Sequence, residues 1–299
     1  MAEKGSRMEQ QGLLLHVIGG FYYVEAADTV YECKARGSLR RDGISPVVGD
    51  RVGLRILDDG KGVLETVYPR RNVLVRPPVA NIDCLAIVVS VAHPRPNLTI
   101  VDKLIALAED KNIEPILVVT KTDLAEGSFP VEVYRKAGFS VFCVTSSDPS
   151  TALPLKAFLT GRITAFTGNS GVGKSTLLNL IEPALQRKTG EISDKLGRGK
   201  HTTRSAELIP LPDGGYLADT PGFSSLDTER LLPLEKDDVE AAFREFADYV
   251  GQCRFVGCSH VSEPKCAVRR AVEEGMISRS RYDSYVMMYE EASHRKNWK

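Results

Sequence analysis

Apolar and polar positions alternate in three different ways along the 299 residues of the chain. From Leu13 to Arg76, short apolar runs are separated by Gly and Asp: Leu13–Ile18, Phe21–Glu25, Thr29–Ala35, Arg51–Leu57 and Gly62–Val67. The breaks at Gly19-Gly20, Gly43, Gly49-Asp50 and Asp58-Asp59-Gly60 are turn formers. Gly supplies positive φ there and Asp hydrogen-bonds nearby backbone. Five short strands at this spacing predict a small all-β barrel, with the OB type the leading candidate. The link Gly37–Gly43 reads as a loop, and Lys34, Arg36, Arg40 and Arg41 gather around it. It is either a solvated hairpin tip or a phosphate-contacting loop.

From about Asn81 to Gly222 the period changes. Cys84–Val89, Pro115–Val119, Val141–Thr145 and Ile163–Thr167 are short β-branched runs. Between them lie the helical candidates Ile100–Lys111, Pro130–Ala137 and Thr151–Leu159. Strands alternating with helices predict a mostly parallel sheet covered on both faces. From Pro233 onward the pattern is helical, interrupted by a cysteine-bearing stretch. In the last run, Tyr282, Tyr285, Val286 and Tyr289 fall at helical spacing and predict a packing stripe. Interleaved Arg279, Arg281, Arg295 and Lys296 would allow an RNA-facing side. The predicted organisation is a disordered tail (1–12), a barrel (13–76), an α/β domain (77–230) and a C-terminal helical domain (231–299).

Composition adds exclusions. Hydrophobic residues are 42% and charged residues 26%, ordinary for a globular protein. Lys plus Arg and Asp plus Glu are both 39, so any basic surface must be local. One such place is Arg187–Arg204, with six Lys or Arg against Glu191 and Asp194. The most apolar run, around Cys84–Ser90, falls far short of the roughly 20 residues that cross a bilayer. Met1–Gln11 is polar and charged, unlike a signal peptide. Membrane insertion and secretion are therefore not expected, and a cytoplasmic location is.

Gly168-Asn169-Ser170-Gly171-Val172-Gly173-Lys174-Ser175 matches G-x-x-x-x-G-K-[ST], between a strand and the helical run Ser175–Ile181 that continues through Thr176. Glycines let consecutive N–H groups face phosphate oxygens, and the helix N-terminus adds positive potential. Lys174 would reach the β- and γ-phosphates and Ser175 would ligate Mg²⁺. Downstream, Asp219-Thr-Pro-Gly222 follows the apolar run Gly215–Ala218 and supplies a second Mg²⁺-linked carboxylate, with a γ-phosphate-sensing N–H at Gly222. Between the two, Gly197–Arg204 carries Thr202 and Thr203, one of which would complete the Mg²⁺ shell; Thr203 is the first choice. Thr120-Lys121-Thr122-Asp123 ends another strand and resembles N-K-x-D, where the Asp accepts hydrogen bonds that guanine can give and adenine cannot. The first position is Thr rather than Asn. Thr145-Ser146-Ser147 resembles the loop that supports the base, with Ser146 at its centre.

Base-reading motifs precede the phosphate loop here, the reverse of the usual GTPase order. Domain termini lie at the surface and are often close, so a fold can be cut and rejoined in this way. The predicted class is α/β, a circularly permuted P-loop GTPase domain with a barrel before it and a metal-binding helical domain after it. This combination resembles the bacterial ribosome small subunit-dependent GTPase A family, over nearly the whole chain. The resemblance implies a GTPase in late maturation of the small ribosomal subunit, binding 16S rRNA, GTP and GDP as a monomer, with hydrolysis stimulated by the subunit.

Three of the six cysteines fall in one window, Cys253-x₄-Cys258-x-His260-x₅-Cys266. Three thiolates and an imidazole suit tetrahedral Zn²⁺ with no open position, so the expected zinc is structural. Cys33, Cys84 and Cys143 read as small core hydrophobes. Many GTPases place a water-orienting Gln after D-x-x-G; here that position is Phe223. His201, beside the threonines, is the candidate to serve the water, with Lys174 and Thr203 completing the catalytic set. Two other readings stay open: a P-loop kinase or ATPase, and a zinc-stabilised RNA-binding module with a vestigial GTPase.

Overall fold

The computed structural model describes residues 10–41, 43–75, 78–124, 129–183, 206–219 and 234–294. In chain order, β1 (Gln10–Ile18), β2 (Phe21–Ala26) and β3 (Thr29–Ala35) precede a short helix α1 (Gly37–Arg41), β4 (Arg51–Ile56) and β5 (Gly62–Val67). A two-stranded pair, β6 (Val73–Val75) and β7 (Pro78–Ala80), leads to β8 (Cys84–Ser90), α2 (Leu98–Asp110), β9 (Glu114–Thr120) and α3 (Val131–Lys136). Next come β10 (Ser140–Val144), α4 (Leu153–Leu159), β11 (Ile163–Thr167), α5 (Lys174–Ile181), β12 (Glu207–Pro210) and β13 (Tyr216–Asp219). The described chain closes with α6 (Lys236–Val239), α7 (Ala267–Glu273) and α8 (Arg279–His294).

These elements fall in two compact units. The first draws on Met1–Cys84, Lys156–Phe166 and Glu182–Ser224. Its barrel runs β1-β2-β3-β5-β4 and closes by pairing β4 back to β1. The β3–β5 pair is parallel and the other pairs are antiparallel. Alternation along the strands turns Leu14, Val24, Cys33, Val52, Leu54 and Leu64 inward. The expected loop at Gly37–Gly43 is instead the helical turn α1. Leu39, 4% exposed, seats it on the barrel core, and burying one such side chain is worth about 1.5–3 kcal/mol. Outside the barrel, β1 also pairs with β12 at His16↔Glu207. β12 in turn pairs along its length with β13, from Glu207↔Asp219 to Pro210↔Tyr216. β12 has no counterpart among the sequence expectations; four residues of Glu-Leu-Ile-Pro are too short to show a period. The Tyr216 hydroxyl donates to Glu25, so β13 is fastened to β2 as well.

The second unit draws on Leu85–Leu155, Thr167–Ile181 and Ser225–Lys299. Its strands lie in the order β10-β9-β8, with β9 and β10 parallel from Ile116↔Ser140 to Thr120↔Val144. All seven residues of β8 are buried, the mark of a parallel strand covered on both faces. Asn97 caps α2, its Oδ1 accepting from Ile100 N at 3.3 Å. Thr151–Leu159, expected as one helix, is a 3₁₀ turn at Pro149–Ala152 followed by α4. Cys143 is exposed, unlike Cys33 and Cys84: it lies on β10, the outermost strand among the described residues, whose side chains are mostly only part-buried.

The C-terminal helices pack into this same unit. Tyr282, Tyr285 and Met288 of α8 join Phe243, Phe246 and Ala106 in one core, as the stripe predicts. Arg281 departs from its expected RNA-facing side. It is 1% exposed and ion-paired to Asp102 of α2 at 2.8 Å and Glu245 at 2.7 Å. A guanidinium can be buried only when carboxylates meet its fixed fork of donors, and these two do. Arg244 pairs with Glu109 and with Glu114, and Lys103 with Glu291. Arg295 and Lys296 lie outside the described residues.

Candidate functional site

The phosphate loop leaves β11 at Gly168 and enters α5 at Lys174. Gly168 sits at φ 151°, and a Cβ there would run into Val88 O, so the motif's first position accepts only glycine. The loop is drawn tight by Val172 N donating to Asn169 O and Leu177 N to Gly173 O. The Lys174 ammonium donates to Gly168 O, and burial pulls its pKa below the ordinary lysine value. Ser170, Ser175 and Thr176 are exposed where the loop opens into the helix.

The base-reading segment leaves β9 at its C-terminal end. Lys121 adopts φ 58°, a left-handed conformation costly for a residue with Cβ and often stored at functional sites. The turn brings its Nζ to His93 O at 2.6 Å and to Gly171 O at 2.8 Å. Thr120 Oγ1 lies 3.0 Å from Val89 O and 2.5 Å from Val172 O. Two adjacent residues thus stitch the base-reading segment to two adjacent carbonyls of the phosphate loop. Thr122 and Asp123 are exposed beyond them. The Asp123 carboxyl is held below its ordinary pKa by the hydroxyls of Thr145 and Ser147. Ser146, the residue chosen from sequence, is exposed between them. The T-S-S run marks this turn in the sequence, but the hydroxyls that reach the acid are those of Thr145 and Ser147.

Asp219 is the last residue of β13. His201, Thr202, Thr203, Gly222 and Phe223 lie outside the described residues.

Cys253, Cys258, His260 and Cys266 converge, their ligand atoms all within 4.8 Å of one another. His260 Nδ1 is 3.3 Å from Cys266 Sγ and 3.5 Å from Cys253 Sγ, and the two sulfurs are 3.8 Å apart. Ligand bonds of about 2.3 Å to a tetrahedral centre give edges of about this length. Burial pushes the Cys258 thiol up to about 12 and raises Cys266. Thiols so placed lose their protons readily only to a bound cation. Amide donors wait for the resulting charge: Ala267 N points at Cys253 Sγ and Arg269 N at Cys266 Sγ, where Cys266 caps α7. On the far side of the ring, His260 Nε2 is 2.8 Å from Glu240 Oε2, which turns Nδ1 toward the sulfurs. Glu240 has no sequence signal; it is one acid among several around α6, at the residue just after its end. Two tyrosines of α8 hold the loop's backbone, Tyr282 to His260 O at 2.8 Å and Tyr285 to Ser259 O at 2.7 Å. The donor set fits structural zinc.

The family model described as RsgA GTPase matches residues 67–229, and the RsgA N-terminal domain model matches residues 11–64. The chain belongs to the RsgA GTPase family. It is accordingly a GTP-hydrolysing enzyme. A relative from Caldanaerobacter subterraneus subsp. tengcongensis, named small ribosomal subunit biogenesis GTPase RsgA, is 43% identical over 96% of this chain and 97% of its own length. A relative of the same name from Streptococcus pneumoniae is 42% identical, with 96% of each chain covered. Among solved structures, YjeQ from Thermotoga maritima superposes with a TM-score of 0.80 at 34% identity, covering 97% of this chain and 100% of that one. YloQ, titled a circularly permuted GTPase, gives 0.82 at 34% identity and covers both chains entirely. The permuted motif order is thus the family's architecture. No helix among the described residues is long and apolar enough to cross a membrane.

Proposed function

We propose that this chain is a GTP-driven switch in maturation of the small ribosomal subunit, working in the cytoplasm. The supporting observation is likeness over the full length: relatives named for small ribosomal subunit biogenesis cover 96% of the chain, barrel and cysteine segment included. A kinase or a vestigial GTPase would not be expected to keep every part of that arrangement.

In this reading residues 13–76 and 231–299 flank a GTPase domain at 77–230. The N–H groups of Gly168–Gly173 cradle the phosphates and Lys174 neutralises β- and γ-oxygens. Ser175, Asp219 and Thr203 serve Mg²⁺. Asp123 accepts from guanine, Lys121, Thr122 and Ser146 complete the base pocket, and Thr120 serves GTP binding from behind, through the phosphate loop. Gly222 senses the γ-phosphate and His201 serves the attacking water. The Cys253, Cys258, His260 and Cys266 set would hold one zinc ion that fixes the C-terminal arm. The arm and barrel contact 16S rRNA, and the protein acts as a monomer.

GTP turnover measured with and without isolated small subunits tests this. With Phe223 where many GTPases carry Gln, the protein alone should turn over at roughly 10⁻⁴–10⁻² s⁻¹, and subunits should add about 10³-fold or more. An unchanged rate at saturating subunits would refute the proposal.

A further inference from the structure

Thr120 stands where GTPases usually carry asparagine, and its surroundings give it a definite task. It closes β9, is 6% exposed, and its one hydroxyl faces two carbonyl oxygens, Val172 O at 2.5 Å and Val89 O at 3.0 Å. A hydroxyl has a single proton to donate. Whichever carbonyl receives it, the other meets a lone pair.

Val172 lies inside the phosphate loop, and its carbonyl belongs to the peptide plane that ends in the Gly173 N–H. In a trans peptide, C=O and N–H point in opposite directions. Holding Val172 O toward Thr120 therefore aims the Gly173 N–H to the other side. The fit around this peptide is close: a Cβ on Gly173 would lie 3.7 Å from Thr120 Oγ1. Lys121 holds the preceding carbonyl, Gly171 O, in the same way.

We propose that Thr120 is a positioning residue that sets how long a guanine nucleotide stays bound, through the number of protons it offers to Val172 O and Val89 O. One proton for two acceptors makes a looser tether than the two N–H donors of an asparagine amide. The chain is thereby set for faster nucleotide release than an asparagine at the same place would give. The proposal rests on the assignment of the phosphate loop and Asp123 above, and it deepens that assignment without altering base choice.

The test is a donor series in the full-length, zinc-loaded protein. Release of fluorescent GDP and of a non-hydrolysable GTP analogue is followed by stopped-flow chase in wild type, Thr120→Val, Thr120→Ser and Thr120→Asn. Thr120→Val, with no proton, should release both nucleotides about tenfold faster, the scale of one lost hydrogen bond. Thr120→Ser should stay within about threefold of wild type, and Thr120→Asn should be slower by a few-fold. The preference for guanine over xanthine nucleotides should be the same in all four. A structural defect would move that preference, zinc content and melting temperature together. Thr120→Val release within twofold of wild type, or Thr120→Asn faster than wild type, would overturn the proposal. A changed base preference would also overturn it, by placing Thr120 at the base. Lack of guanine preference in the wild type would instead refute the Asp123 assignment, while the order of release rates would still judge Thr120.

Discussion

At the Asp123 carboxylate, two hydroxyls do what burial cannot. The group is fully exposed, so its lowered pKa comes from the Thr145 and Ser147 side chains, which favour the charged form by donating to it. In the proposed site the charged form is the one that would accept guanine's N–H groups. It persists below the ordinary carboxylate range and is lost as pH falls through the held-down value. Ser147→Ala removes one donor and moves the pKa up, so guanine selectivity should fade at a higher pH than in wild type. Competition between GDP and xanthosine diphosphate, titrated from about pH 6 down to about pH 3 so that the window spans the ordinary carboxylate value and the range below it, reads this directly. Superimposed profiles would show that Ser147 has no part in holding the acid. Spacing alone is enough to propose Lys174, Ser175 and Asp123, because backbone curvature and base recognition demand those residue types at fixed spacings. Spacing cannot separate Ser147 from Ser146. Both are small hydroxyls in one turn, and a single dihedral decides which faces the acid.

Among the elements, α8 has the most demanding double duty. Arg281 points into α2 while Tyr282 and Tyr285 reach the backbone of the metal-ligand loop. His260 and Lys265 within that loop hold left-handed φ of 58° and 57°, conformations that need support from outside. The tyrosine hydroxyls provide it at Ser259 and His260. Tyr282→Phe combined with Tyr285→Phe keeps the aromatic packing and deletes both hydrogen bonds. Zinc release to a chromogenic chelator should then be faster by about tenfold or more, two bonds at about 1 kcal/mol each. Unaltered release would mean the ligands hold the loop unaided. The helical spacing of Tyr282, Tyr285 and Tyr289 made α8 legible as a packing helix. Arg281 was not legible. In sequence it reads as one of several exposed basic residues, and only Asp102, 179 positions away, together with Glu245 explains its burial. The same limit hid α1: a five-residue helix shows no period, and Leu39 acquires meaning only against the finished barrel.

Across the molecule, the division into two units cuts through the order of the sequence. The strand that follows the threonine pair and the strand that ends at Asp219 are fastened to the barrel through β1 and Glu25, within the first unit. The phosphate loop, the base-reading segment and the C-terminal helices share the second. That second unit depends on its last helix. A chain ending at Ile277 keeps every residue of the phosphate and base-reading loops but lacks Arg281, Tyr282, Tyr285 and Met288. Leaving Asp102 and Glu245 buried without their cation costs about 3–5 kcal/mol, a large part of a typical domain's 5–15 kcal/mol. The shortened protein should therefore fail to bind GDP. Binding at full-length affinity would show that the base-reading half folds without α8.

The same ion pair puts a clock on biosynthesis. Asp102 leaves the ribosome 179 residues ahead of its partner. At about 5–20 residues per second, α2 waits on the order of 10–40 s with an acid committed to an interior that cannot yet form. The barrel, whose strands β1 to β5 are contiguous in sequence, faces no such delay. Each newly made molecule would thus emerge with its barrel able to close early and its second unit unfinished until α8 has followed. The capacity to grip GTP would then be gained only after Arg281 has been made, 179 residues behind the acid it neutralises.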